Sequence, residues 1–198
     1  MALIMRRHKI IRVYIIISIA LFLGAGAACA FDDGFGSAKK IESKYAVIYY
    51  PPEADVASLV RSLNVRQSDK VLSGLVLGSS SSYEEELGSM IDALFGQVSD
   101  ILDMHLYSLK INIKICRDTG RLKDVYKRMF NADLHDRKSF YFYSLNTIYA
   151  SEEAFKGEII GHEMAHAIIS NYFVVPAPVK IQEVLSMYVE YNLRRVEQ

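Results

Sequence analysis

Residues 151–194 read SEEAFKGEIIGHEMAHAIISNYFVVPAPVKIQEVLSMYVEYNLR, and the reading of this stretch decides the fold. Phe155, Ile159, Ile160, Ala165, Ile168 and Ile169 recur at helical spacing, which predicts a helix running to about Tyr172. Ser151 is placed to cap it, with Glu152 and Glu153 in the first turn. Pro176 and Pro178 punctuate a loop, and a second helix follows from about Val179 to Arg194. Inside the first helix, His162-Glu163-Met164-Ala165-His166 has the form H-E-x-x-H. Residues four apart lie one above the other on a helix face, so both imidazoles can close on one metal ion. Glu163, one position along, then lies beside the metal and can take a proton from a metal-bound water. The competing reading is a helix whose histidine pair faces water and binds nothing. It is disfavoured because two histidines and a glutamate set among buried apolar residues need partners.

Outward from this stretch, the upstream sequence alternates strands and helices. Thr147–Ala150 and Phe140–Tyr143 read as two short strands around a turn at Ser144-Leu145-Asn146. Leu109–Cys116 (LKINIKIC) alternates apolar and polar residues, the pattern of a half-buried strand. Cys116 falls on its apolar face and reads as a buried structural thiol. A short helix is expected from about Gly120 to Phe130 and a longer one from Tyr83 to His105. The longer one starts at a Ser82/Glu85 capping box and carries Leu87, Ile91, Leu94, Val98, Ile101 and Leu102 as its stripe. The Gly/Ser loop at Gly78–Ser82 lacks the Gly-Lys-Ser/Thr ending of a phosphate cradle and reads as a helix-capping loop. Ser43–Tyr50 reads as a strand ended by Pro51-Pro52, and Glu53–Leu63 as a helix. Strands towards the front and a helix pair at the back predict an α+β fold with a small mixed β-sheet packed on helices.

The chain has 198 residues with equal numbers of acidic and basic side chains. Its first thirty residues distort that balance. Arg6, Arg7, Lys9 and Arg12 precede an apolar run from Val13 to Ala28, and Ala28-Cys29-Ala30 leads into Phe31-Asp32-Asp33. This is the pattern of a secretory signal peptide. The run is also long enough to anchor the chain in a membrane if it is not cut, and Gly26-Ala27-Ala28-Cys29 faintly resembles a lipidation box. After residue 30 there remain 19 Lys and Arg against 23 Asp and Glu, a net charge of about −4. An acidic chain without a basic block excludes nucleic acid as the expected partner. The domain plan is therefore residues 1–30 as signal or anchor, 31–42 as linker and 43–198 as one domain. That domain is expected to be exported, periplasmic or secreted, with the membrane reached only through residues 10–30. Cys116 alone would survive signal cleavage, so no internal disulfide is expected.

A catalytic zinc takes three protein ligands and keeps one open position. Ile169 and Tyr172 stand where a metzincin-type extension needs Gly and His. Downstream of His166 only Glu183, Glu190 and Glu197 can supply a carboxylate, and Glu197 sits at a frayed terminus. Glu183 opens the last helix and Glu190 lies two turns further along nearly the same face, so either remains a candidate.

HEMAHAII, the proline loop and QEVLSMYVE resemble the gluzincin metallopeptidases, and among them the small peptidase MA-like group. The resemblance covers residues 140–191 and, more loosely, Tyr45–Pro52. It implies a zincin-like fold with an active-site helix and a following antiparallel glutamate helix. It further implies Zn²⁺ held by His162, His166 and Glu183, Glu163 as general base, and a peptide or protein substrate hydrolysed at an edge strand. FYFYSLNTIYAS is similar to the strand pair that precedes the active helix in such domains. The chain departs from the pattern at Val184, where Gly is usual, at Val179-Lys180-Ile181, where Trp often stands, and at Met187. Met187 occupies the place of an Asp that orients one zinc histidine in thermolysin-like relatives, which leaves Glu190 or a backbone carbonyl for that task. Tyr172, Tyr188 and Tyr191 are candidate oxyanion donors. With little chain beyond the last helix, a compact, one-sided site is implied. A binding module that keeps the fold without proteolysis is the alternative reading.

Overall fold

The computed structural model describes residues 32–63 and 82–196. Contacts divide the chain into Met1–Asp32 and Asp33–Gln198, and the architecture below belongs to the second unit. The signal or anchor segment, and all of the Gly78–Ser82 loop except Ser82, lie outside the described residues. Among the described residues no helix is long and apolar enough to cross a membrane.

The elements run β1 (Lys39–Glu42), β2 (Ala46–Tyr50), α1 (Val56–Leu63), α2 (Tyr83–Leu102), β3 (Ile111–Cys116), α3 (Thr119–Phe130), β4 (Ser139–Phe142), β5 (Thr147–Ser151), α4 (Gly157–Tyr172) and α5 (Val179–Val196). The five strands form one mixed sheet in the order β1-β2-β3-β5-β4. β2, β3 and β5 are parallel at its centre, and β1 and β4 are antiparallel edges. The α+β architecture with a mixed sheet on helices is as expected from the sequence.

Strand alternation sorts the side chains into two cores. Ile48, Tyr50, Ile111, Ile113, Ile115, Ile148 and Ala150 turn to one face, where they meet buried residues of α1, α2, α4 and α5. Cys116, Phe140 and Tyr149 turn to the other, against Leu122 and Val125 of α3 and Leu134 beyond it. The Phe140 and Tyr149 rings stack at 4.8 Å. Cys116 is buried as expected, and burial pushes its thiol up to about 12.

Two expectations about boundaries are corrected. Lys39–Glu42, read as part of a linker, is the edge strand β1, paired with β2 from Lys39↔Tyr50 to Glu42↔Val47. Nearby Asp33 is also built into the domain. Its buried carboxylate accepts hydrogen bonds from Lys114, from the Tyr149 hydroxyl at 2.5 Å and from the Phe35 N–H at 3.0 Å. A Gly-bearing polar run looks like a linker because a single buried ion pair leaves no periodic signal. The second correction concerns Ser151, which does not cap α4. It is still paired in β5, opposite Cys116, and a single 3₁₀ turn at Glu152–Ala154 intervenes before α4 starts at Gly157. The Ser82 cap of α2 is observed, with its hydroxyl accepting from the Glu85 N–H at 3.3 Å.

Candidate metal centre

α4 and α5 are packed together as a helical hairpin. Gly161 allows the close approach, because a Cβ there would collide with the Leu193 side chain. The apolar seam of Ala165, Ile168, Ile169, Val189 and Leu193 is buried in the core. This packing turns His162 and His166 of α4 towards Glu183 and Glu190 of α5.

Three of these residues converge. The two histidine Nε2 atoms lie 3.3 Å apart, and each is 3.8 Å from a carboxylate oxygen of Glu183. One ligand atom from each of His162, His166 and Glu183 fits within a sphere of contact of 4.8 Å, and these residues are the group among the described residues that could hold a metal ion. Two nitrogens bound ~2.0–2.1 Å from one tetrahedral ion lie about 3.3 Å apart, which is the separation seen.

The protons on the rings sharpen this. His162 Nδ1 lies 3.1 Å from Glu190 Oε2. The Gln182 side chain hydrogen-bonds the His166 ring. The Gln182 Nε2 donates to the Ala177 carbonyl at 2.8 Å, and its Oε1 accepts from the Ser170 hydroxyl at 3.4 Å. The Glu190 carboxylate can only accept, so it favours the His162 tautomer with its proton on Nδ1 and leaves Nε2 as the metal donor. The two Nε2 atoms face each other with the Glu183 carboxylate close by. Three donor atoms gathered this closely suit a cation. Burial, followed by the neighbouring His162, lowers the His166 pKa, which favours the neutral ring, the form that binds metal.

Glu163 is buried beside this group. Its Oε1 accepts from the Ser139 hydroxyl at 2.8 Å, and the Tyr141 N–H also donates to its carboxylate. Burial raises its pKa above the usual carboxylate range, with the Ser139 bond and the His162 ring pulling it down and Glu183 pushing it up.

The cleft above the site has a volume of about 670 Å³. One wall is β4, the free edge of the sheet. The Ser151 N–H donates to the Lys138 carbonyl at 3.1 Å. Alternation therefore turns the backbone of Phe140 and Phe142 towards β5 and that of Ser139 and Tyr141 towards the open side. The opposite wall is Pro176 with Gln182, Glu183 and Glu190, so the last helix supplies the wall as well as the carboxylates. Tyr172, Tyr188 and Tyr191, the tyrosines considered from sequence, do not line the cleft, whereas Tyr141 and Tyr143 do. The orienting partner of His162, left open between Glu190 and a carbonyl, is Glu190. Ser139, Gln182 and Arg137 were not foreseen. Gln182 adjoins Glu183 in sequence, which is a local signal, whereas Ser139 reaches the site across the sheet edge and leaves no local pattern.

Compared with protein families, with curated proteins and with solved structures, the chain matches none.

Proposed function

We propose that the protein is a zinc-dependent peptidase with a gluzincin-like site. The observation that carries this reading is the convergence of the two Nε2 atoms and the Glu183 carboxylate, with Glu190 behind the His162 ring. His162, His166 and Glu183 would hold the ion, which when bound supplies Lewis acidity and makes water nucleophilic near neutral pH. Glu163 takes the proton of the attacking water and passes it to the leaving amine. The Ser139 hydroxyl and the Tyr141 N–H hold Glu163 in place for both transfers. Burial favours its protonated form, which suits the second transfer. The outward backbone groups of β4 suit an extended polypeptide that adds to the sheet edge, and Arg137 places a cation at the same cleft.

Metal content and one substitution test the reading. Protein loaded with zinc and dialysed should hold about one ion per chain. Glu163→Gln should keep that ion and lower peptide cleavage by a factor of at least ~10². Zinc retained by the native chain with no cleavage across a peptide library would point instead to a binding module. Absence of zinc after loading would overturn both readings.

A further inference from the structure

One face of the domain is apolar and cationic at once. The loop from Phe173 to Pro178 and the outward side of α5 expose Val174, Val175, Val184, Met187, Tyr188 and Tyr191. Val174 is fully open to solvent, and Val175 and Met187 are 77% and 62% exposed. On a helix, Lys180, Val184, Met187, Tyr188, Tyr191 and Arg195 share one side, while Ser186, Val189 and Leu193 form the opposite, buried side. Isolated exposed apolar side chains are ordinary, but a contiguous stripe of this kind marks an interaction surface.

The charges on this face decide what covers it. Lys180 and Arg195 are its cations. The carboxylates of the same helix are turned to the flank, where Glu183 and Glu190 face the histidines. Glu190 also holds Arg194 at 2.5 Å, and Arg195 lies over the Tyr191 ring at 5.6 Å. This face is therefore cationic on a chain that carries 23 acidic and 19 basic residues after residue 30. A two-fold dimer through this face would pack it on a rotated copy of itself, so that the cations at its two ends, Lys180 and Arg195, would meet cations. An anionic lipid surface meets every feature at once. Aliphatic side chains enter the acyl boundary, tyrosines sit at the headgroup level, and lysine and arginine pair with phosphates.

We propose that the Phe173–Pro178 loop and the outer face of α5 dock on an anionic lipid bilayer. The inference stands apart from the metal reading, since none of the apolar residues of this face binds the ion. It does put the cleft next to the membrane, because Glu183 and Glu190 lie on the adjoining flank of the same helix.

The test reads contact at the face itself, so that the apolar run of residues 13–28 cannot mimic it. In full-length protein carrying Cys29→Ser, a fluorophore is attached through Val175→Cys, or through Lys127→Cys on α3 as the control. Cys116 is buried with a raised thiol pKa and stays unlabelled. Vesicles of phosphatidylcholine and phosphatidylglycerol carry a quencher on their lipids. Quenching at position 175 should exceed that at 127 at least threefold, and Lys180→Glu with Arg195→Glu should remove most of the excess while the circular dichroism spectrum is unchanged. Equal quenching at the two positions, or an excess that persists on pure phosphatidylcholine and in the double variant, would overturn the proposal. So would a concentration-dependent dimer that protects position 175 without vesicles.

Discussion

Glu183 and Glu190 are two carboxylates on nearly one face of one helix, yet their surroundings give them different tasks. Glu183 approaches both Nε2 atoms at 3.8 Å, whereas Glu190 stands behind His162 at Nδ1. Loss of a ligand removes a bond to the metal, while loss of an orienting partner only loosens a ring and typically costs 10–100-fold in affinity. Glu183→Ala is therefore expected to weaken zinc binding more than Glu190→Gln does, and Glu190→Gln by about 10–100-fold. Competition with a chromophoric chelator measures both, and the reverse order would exchange their roles. This distinction was half legible in the sequence. Spacing narrows the choice to two glutamates, but which nitrogen each one meets depends on the tilt of one helix over the other. Met187 illustrates the same limit, since the position of the expected orienting Asp is 62% exposed and the task has moved one turn along to Glu190.

At the scale of elements, the helical hairpin is legible because its signals are local: a motif, a proline loop and a second amphipathic run. The start of α4 is not, because a tertiary contact sets it. Gly157 opens the helix against α1, and a Cβ at that position would collide with the Leu63 carbonyl oxygen. Backbone cannot swing aside as the end of a flexible side chain can. Gly157→Ala should therefore destabilise the fold by about 1–3 kcal/mol, despite the better helix propensity of alanine. Urea denaturation of the two proteins measures this, and an unchanged or higher midpoint would show that α1 and α4 part easily. β1 escaped notice for a related reason, since its burial pattern shows one inward residue, Ile41, in four.

For the whole molecule, the sheet order was beyond sequence reading, although the strands themselves were not. Nothing local says that β5 lies between β3 and β4. Asp33 matters at this scale because it ties the segment before β1 to both β3 and β5. Burial alone would raise its pKa, but the Lys114 ammonium, the Tyr149 hydroxyl and the Phe35 N–H outweigh burial and hold it below its ordinary value. A carboxyl depressed in the folded state stabilises the protein above its unfolded pKa. That contribution is lost as the pH falls through the folded value. Asp33→Asn should then cost on the order of 3 kcal/mol at pH 7, where Lys114 is left without its partner. The gap between variant and native protein should narrow below pH ~4. Urea midpoints at pH 7 and pH 3 test this, and a gap independent of pH would show that the pair contributes through shape alone.

The hairpin and the β4 wall have a consequence for the order in which the molecule is made. The site is drawn from one unbroken run, Ser139 to Glu190, whereas β2 must wait for β3, some sixty residues later, to find its parallel neighbour. Short-range contacts close quickly and distant parallel pairing closes slowly. The residues around His162 are thus joined by contacts of short range in sequence, and the distant pairing of β2 with β3 is expected to set the rate of reaching the native state.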